Sequence, residues 1–450
     1  MKDIKRELVA RGVHTLLVQF TDLHGVAKGK LVPLAHLDDV LTAGAGFAGP
    51  SIAGTGLPRC GPRSEFYARG YASTVRALPW MPGVARIVGD GYVDGSAFDA
   101  CPRQTLKRQL ARLAERGWTL RTGIEPEFFL LKREAGAWLP ADDADRLDKP
   151  SYDLKSLPRQ LGLLDALSSA LQKCGLDVLQ IDHEDAHGQY ELNFAYDEAL
   201  ASCDHLMLFK LAAQALAEAR GLVFSMMPKP FAKQPGSGMH FHVSLWKGSG
   251  EDAVSLFTPH HADGAVDKGR NLSDLGRQFI AGVLAHSAAL CALAAPTVNS
   301  YKRLVVGESI SGTSWAPAYI AHGPNNRTAL VRTLPSRFEW RLPDASANPY
   351  LATAAMIAAG LDGIERKLHP GAECDEDLFA LSLSHIRERG IGLLPQSLDE
   401  ALHALEADAV VRGALGETLS AQFLQLKREE WTEYARHVGD WELARYAAAF

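Results

Sequence analysis

The chain has 450 residues, of which 47% are hydrophobic and 22% charged. That composition excludes disordered and fibrous classes, and the length allows one or two ordinary domains. Lys and Arg total 47 against 53 Asp and Glu, a formal net charge of −6, so no general binding of nucleic acid or anionic membrane is expected. Cys60, Cys101, Cys174, Cys203, Cys291 and Cys374 are scattered without a CxxC pair. They read as thiols of a cytoplasmic protein, not as a disulfide frame or zinc site. The N-terminal MKDIKRELVARG is charged and has no apolar core, so no secretory signal is expected.

In chain order, residues 3–11 have the pattern of a short amphipathic helix ended by Gly12. VHTLLVQF reads as a strand, Asp22-Leu23-His24-Gly25 as a turn, and VAKGKLVPL as a returning strand. Residues 44–70 are rich in Gly, Pro and Ser and read as one long loop. DGSAFDACPRQ, residues 94–104, marks the expected boundary between domains 1–100 and 101–450. The next segment, TLKRQLARLAERG, is a helix with Leu106, Leu110 and Leu113 on one face and Gly117 as its stop. Strand-like runs (WTLRTGIEPEFFLL, YELNF, GMHFHVSL, RFEWRLPD) then alternate with Ala/Leu-rich helices over 204–220, 274–293 and 348–368. Residues 279–298 imitate a membrane span, but they contain His286, Ser287 and Pro296, so a buried core helix is expected. The expected fold class is α+β, with a small N-terminal domain before a larger catalytic one.

Glu125 and Glu127 lie two apart in a strand pattern, which puts both carboxylates on one face. Two such groups repel unless a cation or proton sits between them. His240 and His242 repeat the spacing in GSGMHFHVSL. Glu184 and Glu191 flank the Gly188 turn of HEDAHGQYELNF, and Glu339 shares a face with Arg341. Carboxylates with a single histidine suit hard divalent ions, Mg²⁺ or Mn²⁺, better than zinc. Arg303, Arg327, Arg332, Arg337 and Arg341 crowd the C-terminal third, a density that fits a polyanionic ligand. The sequence has neither a P-loop nor a kinase glycine loop. These residues describe a metal-dependent enzyme acting on a phosphorylated substrate and a carboxylate, with a phosphoryl-transfer ligase and a phosphohydrolase both open.

IEPEF, HEDAHGQYE, GSGMHFH, NSYKRL, NNRTALVR and FEWRLPDASANPYLA, in that order, resemble the signature segments of the glutamine synthetase family. The resemblance spans about residues 13 to 445. It implies a small N-terminal β-grasp domain, a larger catalytic domain, and a homo-oligomer of stacked rings, expected to be a dodecamer, with active sites between neighbouring subunits. It also implies ATP as a substrate and two or more Mg²⁺ or Mn²⁺ ions per site. Glu127, Glu184 and Glu191 match ligands of one ion, and Glu125, His240 and Glu339 those of the second. His242, Ser244, Arg332 and Arg337 match nucleotide contacts. Gly236, Arg303 and Arg341 match the glutamate site, and Arg327 matches the residue that stabilises the transferring phosphoryl group.

Four departures from the family pattern are informative. Ala48 in GFAGPSIAG stands where the family has an ammonium-binding Asp. Ser309 stands where it has a catalytic Glu, with Glu308 one residue earlier as the substitute. Pro235 replaces an Asn beside the glycine of the glutamate site, and Phe379 replaces the tyrosine that some members adenylylate. Losing a carboxylate disfavours a small cation, and an alkyl group buried there gains about 0.8 kcal/mol per methyl. The resemblance therefore implies ligation of L-glutamate to a small alkylamine, methylamine, with Glu308 or Glu65 accepting a proton and Ala48 lining the amine pocket. Ammonia, another amine, and a non-catalytic relative are the rivals.

Overall fold

The computed structural model describes residues 2–248, 250, 252–261, 264–267, 269–307 and 315–450. Glu308 and Ser309 lie outside the described residues. The chain forms two large mixed sheets with helices packed on them, an α+β arrangement.

The first sheet begins with the strands Thr15–Thr21 and Ala27–Pro33, paired antiparallel. Asp22 fixes the turn between them by accepting from the Val26 N–H at 3.0 Å. The first strand also pairs in parallel with Val84–Val93. Residues 44–70, expected as one loop, instead contain the strands Ala45–Ala48 and Glu65–Gly70, paired so that Ala48 faces Glu65. The four-residue strand is too short to show a period. Its anchor is tertiary, since the Phe47 and Phe66 rings pack on Phe20 at 5.0 and 4.8 Å.

The second sheet has eleven strands. Its central path runs Val178–His183, Gln189–Phe194, Trp118–Glu134, Met239–Lys247, Arg337–Trp340, Val331–Leu334 and His322–Pro324. Alternation along the 17-residue strand sends Leu120, Ile124, Phe128 and Leu130 into the core and leaves Glu125 and Glu127 on the other face. The helix Ala199–Glu218 covers the apolar face, with the Phe209 ring 5.6 Å from Phe128. The helix Pro349–Glu365 is buried almost all round. It starts at Pro349, and the Asn348 side chain accepts from the N–H groups of Tyr350 and Leu351. The Asn348 amide also donates to the carbonyls of Asp22 and Leu23 at 3.0 and 3.3 Å, tying the turn after the first strand to this helix.

The apolar stretch 279–298 is not one helix. It divides into Asp274–Ala285 and Ser287–Ala294, bent by 75°. The break is at His286, whose ring nitrogens reach Asp408 at 2.6 Å and Asp362 at 3.0 Å. Among the described residues no single helix is long and apolar enough to cross a membrane.

Candidate active site

Strand register builds the site. Glu191 lies between Asp182 and Glu127 on its two neighbouring strands. His240 faces Glu125, and His242 faces Glu339, which in turn faces Arg332. A polar diagonal therefore crosses six strands, and all of it but His242 lines a cleft of about 620 Å³.

At one end of the diagonal, carboxylate oxygens of Asp182, Glu184 and Glu191 lie within 4.8 Å of one another. At the other, Glu125, His242 and Glu339 do the same. Glu127 borders the first group, close enough to repel Glu184 and Glu191, and its Oε2 accepts from the Gly238 N–H at 2.8 Å and from Gln189 Nε2 at 2.9 Å. His240 Nδ1 is 3.3 Å from Glu339 Oε1, so His240 borders the second group. The structure thus adds Asp182 beside Glu184 and Glu191, and His242 beside Glu125 and Glu339, to the donors expected from the sequence.

The electrostatics of the two ends differ. Burial and then repulsion from Glu127 raise Glu184 well above its ordinary value, and Glu191 rises for the same reasons. Burial followed by Glu125 pushes Asp182 up to about 6, and burial pushes Glu127 up to about 7 despite Arg303. A cation between such carboxylates would relieve their repulsion, and hard divalent ions fit an all-oxygen set. At the other end, burial would raise Glu339, but Arg341 and the neighbouring histidines outweigh it and hold it at about 2. Arg332 and Arg341 donate to its two oxygens at 2.8 and 2.5 Å. Burial, then Arg341, lowers His240 well below its ordinary value, leaving a neutral imidazole suited to ligation.

The arginines divide by position. Arg303 and Arg341 are buried and line the cleft. Arg303 donates to the carbonyls of Leu342 and Arg341 at 3.2 and 3.4 Å. Arg341 donates to the Trp315 carbonyl at 3.1 Å, and its buried Nε has no partner among the described residues. A buried donor without a partner is the opening an anionic ligand would fill. Arg327 is exposed at the cleft wall. Arg337, His242 and Ser244 lie outside the cleft lining. Arg337 Nε donates to His242 Nδ1 at 3.3 Å, and Ser244 accepts from Trp246 Nε1 at 2.9 Å.

Two glycines let backbone approach the charged groups. A Cβ on Gly236 would stand 2.3 Å from the Pro228 carbonyl oxygen. One on Gly238 would meet His240, Glu127 and Arg303 at 2.7, 2.9 and 3.0 Å. Ala48 and Glu65 are exposed and lie outside the cleft lining. Sequence reasoning missed Asp182, Tyr152 and Gln189, all of which line the cleft. Asp182 had a signal: it sits two residues before Glu184, the same spacing as Glu125 and Glu127.

The family described as "Glutamine synthetase, catalytic domain" matches residues 99–446. A "Glutamate--methylamine ligase" of Methyloversatilis universalis is 49% identical over 97% of each chain. A "Glutamine synthetase" of Rhizobium meliloti is 38% identical over 96% of each. The solved structure described as "GmaS/ADP complex-Conformation 1" superposes with a TM-score of 0.90 at 38% identity, covering 99% of this chain and 100% of that one. The six motifs, the carboxylate and arginine cleft and these full-length similarities place the chain in the glutamine synthetase family.

Proposed function

We propose that this protein is an ATP-dependent ligase that joins L-glutamate to methylamine, forming γ-glutamylmethylamide by way of γ-glutamyl phosphate. The observation that carries the reading is 49% identity over 97% of the chain to a glutamate–methylamine ligase, in a chain that has Ala48 where an ammonium-binding Asp is the family pattern. Arg303 and Arg341 hold the carboxylates of glutamate. The γ-carboxylate oxygen attacks the γ-phosphorus of ATP, and the bond to ADP breaks. Divalent ions held by Glu127, Glu184 and Glu191 and by Glu125, His240 and Glu339 would supply charge neutralisation for that transfer. Arg327 reaches the transferring group from the exposed wall, while His242, Ser244, Arg332 and Arg337 hold the nucleotide. The free-base amine then attacks the acyl carbon and phosphate leaves. Glu308 or Glu65 takes the proton lost by the attacking nitrogen.

The assembly in this reading is a cytoplasmic ring oligomer, a dodecamer of two stacked rings. Each subunit pairs a β-grasp domain, residues 1–100, with a catalytic domain, residues 101–450. Exposure of Ala48 and Glu65 away from their own cleft supports a site completed by a neighbouring subunit. Light scattering alongside an ADP-release assay tests this: only assembled protein should turn over, and a fully active monomer would refute it.

A further inference from the structure

A second cavity, of about 550 Å³, lies on the helix-covered side of the catalytic sheet. Its volume is within the ~300–1,000 Å³ usual for small-molecule sites. Met207, Leu211, Phe224 and Phe423 give it apolar walls, and Lys210 and Lys427 supply two amines. The amines are not equivalent. Lys427 is buried and paired with Glu430 at 2.8 Å, so its charge is compensated. Lys210 reaches only the Ala345 carbonyl, at 3.4 Å, and forms no ion pair among the described residues. Asp344 offsets the Lys210 charge only in part, and one partly compensated cation between apolar walls matches one negative charge on an apolar body.

We propose that this cavity binds a small monocarboxylate with an alkyl body, its carboxylate on Lys210 and its alkyl part against Met207, Leu211 and Phe224. Burial lowers the Lys210 amine to about 8, so the cavity holds its charge at a disadvantage that a bound carboxylate removes. Glu430 beside Lys427 disfavours a phosphate or other dianion at the same place.

The cavity also touches the catalytic machinery from behind. Ala345, the partner of Lys210, belongs to the segment 341–348. On the far side of that segment, Arg303 holds the carbonyls of Leu342 and Arg341. Asp344 bridges to Gly238, whose N–H donates to Glu127 at 2.8 Å. Movement of Ala345 toward or away from Lys210 is therefore shared with the arginine assigned to glutamate. This coupling rests on the proposed use of glutamate, whereas binding in the cavity does not.

The test uses the assembled full-length protein and 4-methylpentanoate as probe, with 4-methylpentanamide and inorganic phosphate as controls. Calorimetry should show saturable binding of the carboxylate only. Lys210→Met should weaken it about tenfold or more, and Lys210→Arg should largely restore it, as for loss and return of one charge-assisted hydrogen bond. The probe should also shift the KM for glutamate in native protein but not in Lys210→Met. Absence of binding to native protein, or equal binding to Lys210→Met, overturns the site. Binding without a KM shift overturns the coupling alone. If Lys210→Met does not fold, reductive methylation of native protein decides, read at Lys210 by peptide mass spectrometry. The carboxylate should slow labelling and the amide should not. Equal rates, or an amine already unreactive without probe because another subunit covers it, overturn the proposal.

Discussion

Ala48→Asp restores the carboxylate of the ammonium-binding family members at an exposed strand position facing Glu65. Directly opposed Cβ atoms on antiparallel strands are about 5 Å apart, so the two carboxylates repel by about 0.8 kcal/mol in a water-like medium. That is roughly half a pKa unit, so the new group stays ionised at neutral pH. A small cation about 4 Å from it gains about 1 kcal/mol at the surface, and more once the neighbouring subunit excludes water. Methylamine loses the methyl-sized space left by Ala48, a further ~0.8 kcal/mol. The discrimination should therefore move toward ammonium by about 1–3 kcal/mol, which is about five- to 150-fold in the ratio of kcat/KM values. The assay is ADP release with each amine at equal free-base concentration. A ratio unchanged by Ala48→Asp, in a variant that still assembles and turns over, would refute the placement of residue 48 at the amine.

Asp182→Asn should weaken Mn²⁺ binding by about tenfold or more, read by electron paramagnetic resonance, because it removes one oxygen anion from the acidic triad. Unchanged affinity would remove Asp182 from the ion site. Gly236→Ala should raise the KM for glutamate, since its Cβ would meet the Pro228 oxygen at 2.3 Å and displace the loop beside Arg303. An unaltered KM would show that the loop is not at the glutamate site. His286 is raised above 6.5 by hydrogen bonding to Asp408, so the stability it contributes is complete below pH 6.5 and is lost as pH rises through its folded value. His286→Gln should flatten that part of the Tm-against-pH curve, and an identical slope in both proteins would contradict the ion-pair account.

Chemistry-bearing strands were legible in the sequence because period two fixes a face. Glu125, Glu127 and His240 therefore line the cleft, and His242 shares the strand face of His240 just beyond that lining. What sequence spacing does not contain is register between strands. The grouping of Asp182 with Glu191, and of His242 with Glu339, depends on which residues pair across strands far apart in the chain. Ala45–Ala48 was hidden for a related reason, since a four-residue strand among glycines is held by Phe20 and Phe66, not by its own pattern. The bend at His286 was hidden because one histidine in an apolar run carries no mark of a partner such as Asp408, 122 residues away.

The central claim is the identity of the amine. It is tested most directly by initial rates of ADP release from native protein with L-glutamate, ATP and Mg²⁺, comparing methylamine with ammonium at equal free-base concentrations. The account predicts a higher kcat/KM for methylamine. A preference for ammonium under those conditions would contradict it and make the protein a glutamine-forming member of the same family.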